Sequence, residues 1–181
     1  MNSQQTYIAL ETIVTKEIRR FTRIWVQTLL PPAITMCLYF VIFGNIVGSR
    51  VGKMGGFDYM QYIAPGLIMM SVITNSYSNV VSSFYGAKFQ RNIEELVVSP
   101  VPHHIILSGF VIGGVVRGLL VGVMVTLLSL FFTHLSIHHL FVVIYSVLVT
   151  STLFALGGFV NAVFAKSFDD ISIVPTFILT P

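Results

Sequence analysis

The sequence predicts an all-α protein that crosses a membrane several times. Of its 181 residues, 55% are hydrophobic and only 9% are charged, and the mean hydropathy is +0.86. Ordinary soluble domains contain about 25% charged residues. The apolar residues lie in long runs between charges, and about 20 such residues cross a bilayer as a helix. Barrel strands would be about half as long and would alternate in polarity, so the runs indicate helices.

Four complete spans are predicted, followed by the start of a fifth. In chain order they cover 24–48, 60–85, 105–132 and 140–165, and the next apolar run begins at residue 171. That last run is too short to cross a membrane, so we expect the chain to be a fragment of a longer protein. Pro31 and Pro32 predict a kink or a restart within the first span.

Residues 1–23 predict a cytoplasmic amphipathic helix ahead of a transmembrane domain at 24–181. Its apolar positions recur at helical spacing, and its charged positions, Glu17 and Arg20 among them, fall between these. The basic end and Trp25 suit the headgroup level of the membrane. The alternative is a charged flank that only anchors the first span.

The distribution of basic residues predicts the orientation. Seven of the ten lysines and arginines flank the spans on the side of the N-terminus, two lie on the other side, and Arg117 lies within a span. The positive-inside rule therefore predicts a cytoplasmic N-terminus.

The second predicted span has a polar stripe along one face. Its members follow helical spacing: Ser71, Thr74, Asn75, Ser78, Asn79 and Ser82. Such a face should avoid lipid. It predicts either hydrogen bonding between helices, which we favour, or the lining of a translocation path.

The third predicted span combines glycines with a cation. Small residues four apart allow two helix backbones to approach closely, and the set comprises Gly109, Gly113, Gly114, Gly118 and Gly122. Arg117 stands among them, where a charge costs at least about 2.5 kcal/mol without a partner. The candidate partners are Asn75, Asn79, backbone carbonyls and a carboxylate in a segment absent from this sequence, and a direct substrate role is the alternative. The candidate path therefore comprises Ser71, Thr74, Asn75, Ser78, Asn79 and Arg117.

Several kinds of catalytic site are missing from the sequence. It contains no P-loop, nucleophile elbow or zinc-protease motif. His134, His138 and His139 lie together without a nearby carboxylate or thiolate, which favours a solvated loop over a metal site. The carboxylates all fall at membrane edges or in loops, so we expect no proton relay within the spans.

A short polar segment separates the second and third spans. It holds Lys88, Arg91, Glu94 and Glu95 and ends at Ser99, which precedes a proline. The pattern predicts a short amphipathic helix at about 87–99, with Phe89, Ile93, Leu96 and Val97 on its apolar side. Such a helix suits a groove on a soluble partner, although a loop without a partner could share the pattern.

The segment 84–102, FYGAKFQRNIEELVVSPVP, resembles the first cytoplasmic loop of ABC-2-type transport permeases. The segment 168–181 resembles the start of their fifth helix, and Pro65-Gly66 agrees with the same pattern. The resemblance implies a six-helix permease with a coupling helix that docks on a separate ATP-binding cassette subunit. Carried over to this chain, that interface comprises Phe89, Arg91, Asn92, Glu94, Glu95 and Leu96.

The resemblance also implies a function and a set of partners. The chain would be a permease subunit, not an enzyme, that exports a drug, polysaccharide, lipid or other amphiphile. It would hold no cofactor, because ATP and Mg would bind the partner subunit. We expect a homodimer with a second copy of the permease in the lipid of the bacterial inner membrane, and no nucleic-acid partner. A secondary transporter or channel and a non-transporting scaffold are the alternatives.

Overall fold

The computed structural model describes residues 3–54, 56–133 and 139–179, so His134 and His138 lie outside the described residues. The described part is helical apart from one small hairpin and short connections. Its helices are α1 (Ser3–Arg23), α2 (Trp25–Val41), α3 (Gly48–Val51), α4 (Tyr59–Phe89), α5 (Asn92–Val98), α6 (His103–Ser129), α7 (Leu140–Phe164) and α8 (Phe168–Val174), with π-helical segments at Ile42–Val47 and Pro175–Leu179.

The first span is one long helical run. α2 continues through Pro31 and Pro32, and the π-helical segment joins it to α3 without a break. The chain then forms an antiparallel hairpin between β1 (Lys53–Met54) and β2 (Phe57–Asp58). Positive φ angles of 71° and 87° at Gly52 and Gly56 allow the chain to leave α3 and enter β2.

Three segments of the described chain are long and apolar enough to cross a membrane: Trp25–Val51, His103–Ser129 and Leu140–Phe164. α4, predicted as the second span, is the longest helix at 31 residues. Its serines and asparagines make it less apolar than the other three. α4 lies centrally, with α6 and α7 packed against it. The predicted all-α membrane architecture is therefore confirmed.

Glycines bring α6 close to its neighbours on two sides. A Cβ atom at Gly113 would lie 2.6 Å from Glu17 Cβ of α1, and one at Gly114 would lie 2.5 Å from Val80 Cγ2 of α4. Such separations leave no room for a methyl group, which confirms the predicted close approach of the helices. α6 therefore packs against α1 through one face and α4 through another.

One charged position of α1 differs from the sequence prediction. The sequence assigns Glu17 to the charged positions between the apolar ones of α1, but its side chain is fully buried where α1 meets α4 and α6. Its carboxylate has two partners, since Oε1 accepts a 2.6 Å hydrogen bond from Ser83 and Oε2 lies 3.3 Å from Arg20. Glu17 lies in α1, ahead of the first span, and its carboxylate is enclosed by the helix bundle. Hydrogen bonds and an opposite charge compensate its burial.

Candidate functional site

The polar segment between α4 and α6 forms an exposed helical turn. Arg91 adopts a left-handed conformation with φ 60°, at the break between α4 and α5. This conformation costs a residue with a side chain about 1–2 kcal/mol. The structure divides the helix predicted at 87–99 into two. The first residues of that range form the end of α4, and the separate helix α5 begins at Asn92.

The residues assigned to coupling lie mostly on the outside of this turn. Phe89 is 66% exposed, Arg91, Asn92, Glu94 and Glu95 are exposed, and Leu96 is half-buried against the core. Val97, predicted on the apolar side, is also exposed, and Val98 is 86% exposed. The surface thus combines apolar side chains with two carboxylates in the first turn of α5, where the helix dipole favours negative charge.

Contacts with α7 and α8 hold the base of this surface. Lys88 Nζ donates 2.8 Å hydrogen bonds to the carbonyl oxygens of Val163 and Ala165, at the C-terminus of α7. The ring of Phe168 lies between those of Tyr85 and Phe89, with centroid distances of 4.9 and 5.1 Å. The end of α4 is therefore tied to the α7–α8 turn by a charged cap and an aromatic cluster.

The polar stripe of α4 is partly covered by the described chain. Ser71, Asn75 and Asn79 are buried, Thr74 and Ser78 are half-buried, and Ser82 is exposed. Asn75 Nδ2 donates to the carbonyl of Ser71 at 3.0 Å, within the same helix. Among the residues of the predicted path, Thr74, Ser78 and Arg117 are half-buried and are therefore its more accessible part.

A charged cluster surrounds Asn79. Its Oδ1 atom accepts hydrogen bonds from Arg20 Nη2 at 2.8 Å and from Arg117 Nη1 at 3.4 Å. Arg20 also contacts the backbone oxygen of Asn79 at 3.1 Å. Asn79 was one of the partners predicted for Arg117, and the structure brings the two side chains together. Together with Glu17 and Ser83, these residues form what we call the buried charge cluster.

The contribution of α1 to this cluster was not predicted from the sequence. Glu17 and Arg20 were assigned to the charged positions of an amphipathic helix. The signal that could have found them is their spacing, because residues three apart lie on the same helix face. Ile13 and Phe21 are also buried, four residues before and after Glu17. The buried face of α1 therefore includes Glu17.

Comparisons with known proteins identify the family. The family model described as ABC-2 type transporter matches residues 8–181. The chain is 64% identical over 175 residues to "Inner membrane transport permease YadH" of Escherichia coli strain K12, covering 97% of this chain and 68% of the relative. The protein of the same name from Shigella flexneri matches equally well. No solved structure matches the chain significantly. The family predicted from the 84–102 and 168–181 segments is confirmed, and the chain belongs to the ABC-2 type transporter family of multi-pass membrane permeases.

Proposed function

We propose that the chain provides the membrane pathway of an ATP-driven exporter for a drug, polysaccharide, lipid or other amphiphile. Permeases of this family generally work with an ATP-binding subunit. A partner of this kind needs a cytoplasmic surface on which to dock, and the observation that carries the proposal is the exposed turn around α5. ATP and Mg would bind the partner, and two copies of the permease would enclose the pathway.

The α5 surface supports docking through its chemistry. Glu94 and Glu95 are exposed beside the apolar side chains of Phe89, Val97 and Val98. Apolar contacts supply most of the free energy of such an interface, and the charges select the partner and its orientation. A cytoplasmic ATPase with a basic-rimmed apolar groove would fit this surface.

The decisive experiment reverses charge on α5. In the full-length permease, Glu94→Lys together with Glu95→Lys should reduce co-purification of the ATP-binding subunit and abolish ATP-dependent export. Glu11→Lys is the control, because Glu11 is also exposed and lies on the proposed cytoplasmic side but in α1. Insertion should be unaffected in all variants. Normal co-purification and export by the α5 variant would refute docking through these carboxylates.

A cytoplasmic N-terminus is part of the same proposal, since it places α5 on the side of the ATPase. The basic residues before α2 support this orientation, as do Lys88 and Arg91 near the α4–α5 turn. A membrane-impermeant maleimide should label Lys53→Cys in intact cells and Asn92→Cys only after lysis, in a Cys37→Ala background. The opposite labelling pattern would reverse the orientation.

We also propose that the stripe of α4 contributes to the path through Thr74 and Ser78, its half-buried members. Thr74→Val with Ser78→Ala should change the substrate profile of export without lowering the amount of folded protein. Ser76→Ala is the comparison, because Ser76 is fully buried on the face of α4 that packs against Gly118. An unchanged profile in the double variant would exclude these two side chains from the path.

One observation favours a second candidate, a secondary transporter. Such a protein needs ionisable groups within the membrane-embedded bundle, and the buried charge cluster supplies Glu17, Arg20 and Arg117. Proteoliposomes containing only the permease distinguish the two functions. Flux that follows an ion gradient without ATP or the partner would favour the secondary transporter.

A further inference from the structure

Two guanidinium groups converge on a single acceptor in the buried charge cluster. Arg20 Nη2 and Arg117 Nη1 both donate to Asn79 Oδ1, at 2.8 and 3.4 Å. Arg20 belongs to α1, Asn79 to α4 and Arg117 to α6. The two cations therefore face one another where the three helices meet.

The described residues compensate only part of this positive charge. The carboxylate of Glu17 lies 3.3 Å from Arg20. This is the one salt bridge among the described residues. Two guanidinium groups and one carboxylate leave one excess positive charge. An uncompensated charge in a low-dielectric environment is costly, so the arrangement favours a further anion.

Hydrogen-bond donors in the cluster lead to the same conclusion. Within the described residues, Arg20 Nε, Arg117 Nε and Asn79 Nδ2 are buried and have no acceptor. Asn79 is 0% exposed, so water does not satisfy its amide from an open surface. Buried donors in folded proteins are nearly always paired. Three unpaired donors beside an excess positive charge indicate a site for an anion with several acceptor oxygens.

The position of Arg20 supplies the chemical class of that anion. Its side chain is 32% exposed, so the cluster is accessible from the surface along α1. Arg23 and Trp25 follow it closely in the chain, and arginine with tryptophan is typical of the headgroup level of a bilayer. Guanidinium groups match the oxygens of a phosphate particularly well. We propose that Arg20, Arg117 and Asn79 bind the anionic phosphate group of a membrane amphiphile.

This site is independent of the proposed ATP-driven export. Binding requires neither ATP nor a docked ATPase, and the cluster shares no residue with the α5 surface. A purified permease that fails to bind phosphate headgroups would leave the coupling proposal intact. Conversely, loss of ATPase docking in the α5 variants would leave headgroup binding unchanged.

The test titrates purified full-length permease in a non-ionic detergent with three probes and records the shift in apparent Tm. The probes are dioleoyl phosphatidylglycerol, dioleoyl phosphatidylcholine and inorganic phosphate. We expect phosphatidylglycerol to raise the Tm saturably. Phosphatidylcholine should need an at least about tenfold higher concentration for the same rise in Tm, because the cation of its own headgroup neutralises the phosphate. An equal effect of inorganic phosphate would support the same site with free phosphate as its ligand.

Variants assign the effect to the cluster. Arg20→Gln and Arg117→Gln should each raise the half-maximal phosphatidylglycerol concentration by about tenfold or more, as expected for loss of a charge-assisted hydrogen bond. Arg19→Gln, the matched control on the exposed face of α1, should change it less than about twofold. Arg117→Lys retains the charge and should bind with intermediate affinity, which keeps the test informative if Arg117→Gln does not fold.

Glu17→Gln separates an anion site from purely structural pairing. Removing the carboxylate increases the positive charge near the ligand, so phosphatidylglycerol should bind more tightly, while the Ser83 hydroxyl can still donate to the amide oxygen. Weaker or unchanged binding in Glu17→Gln would overturn the proposal. Equal responses to the two lipids, or an equal loss of binding in Arg19→Gln and Arg20→Gln, would also overturn it.

Discussion

Glu17 and Asp170 are carboxylates with opposite environments. Glu17 is buried and interacts with side chains from α1 and α4. Asp170 is only half-buried near the start of α8, where Oδ2 accepts backbone hydrogen bonds from Lys166 at 2.9 Å and Ser167 at 3.0 Å. These bonds lower the pKa of Asp170 below its ordinary value of 3.8. Its amide bonds back to the Ser167 hydroxyl, which completes a capping box.

Acid should therefore weaken the cap of α8. Because the pKa is lower in the folded state, the stabilisation is fully present above pH 3.8 and is lost as the pH falls through the lowered value. Asp170→Asn should reduce the hydrogen-exchange protection of α8 amides at neutral pH. At low pH, where Asp170 is protonated in the wild type, the ratio of wild-type to variant hydrogen-exchange protection should approach one. A ratio that does not depend on pH would contradict this role of the charge.

The cluster around Asn79 shows how far single residues are predictable. Arg117 was recognised because a cation is costly in an apolar run, and Asn79 because it follows a helical polar stripe. Arg20 and Glu17 lie in a segment rich in charge, so neither stands out. Their burial depends on the contact of α1 with two helices that are distant in sequence. Local pattern could not reveal it.

The elements around α5 are bound to one another more closely than their separation in the chain suggests. α4 ends beside the α7–α8 turn, and Lys88 caps the carbonyls of Val163 and Ala165 there. A movement of α5 would therefore act on α7 and α8 as well as along α4. The sequence indicated a short helix in this region, but the division into α4 and α5 depends on the left-handed Arg91.

Lys88→Met should release the last turn of α7. The side chain retains its length but can no longer donate to the two carbonyls, so amides near 161–165 should exchange hydrogen faster. Lys88→Arg should restore part of the protection, because it still places donors at the helix C-terminus. Lys166→Met is the control, since that exposed lysine contributes a backbone N–H to the α8 cap. Similar exchange in all three variants would exclude a capping role for Lys88.

The whole molecule is organised around close contacts that glycines allow. α6 contacts α1 at Gly109 and Gly113, and α4 at Gly114 and Gly118. These contacts place Arg117 beside Asn79 and bring Glu17 within reach of Ser83. The packing of the three helices and the assembly of the charge cluster are therefore one structural feature.

Gly113→Ala should destabilise the bundle by about 1–3 kcal/mol, because a Cβ there meets Glu17 Cβ at 2.6 Å and α1 must move. Gly157→Ala is the matched control in another long apolar helix, where the added Cβ would meet nothing within 4 Å apart from the adjacent backbone of its own helix. It should be neutral or stabilise by up to about 1 kcal/mol through helix propensity. Thermal unfolding in detergent measures both changes. Equal apparent Tm values would show that α1 does not pack tightly on α6.

Composition and the length of apolar runs were sufficient to predict an all-α membrane protein, since each span must satisfy its own backbone in lipid. The 84–102 and 168–181 segments were sufficient to predict the family. Only the tertiary structure could place Glu17 and Arg20 beside Asn79 and Arg117, or Lys88 at the end of α7. Periodicity shows which residues share a helix face, whereas contacts between distant segments depend on how those faces pack.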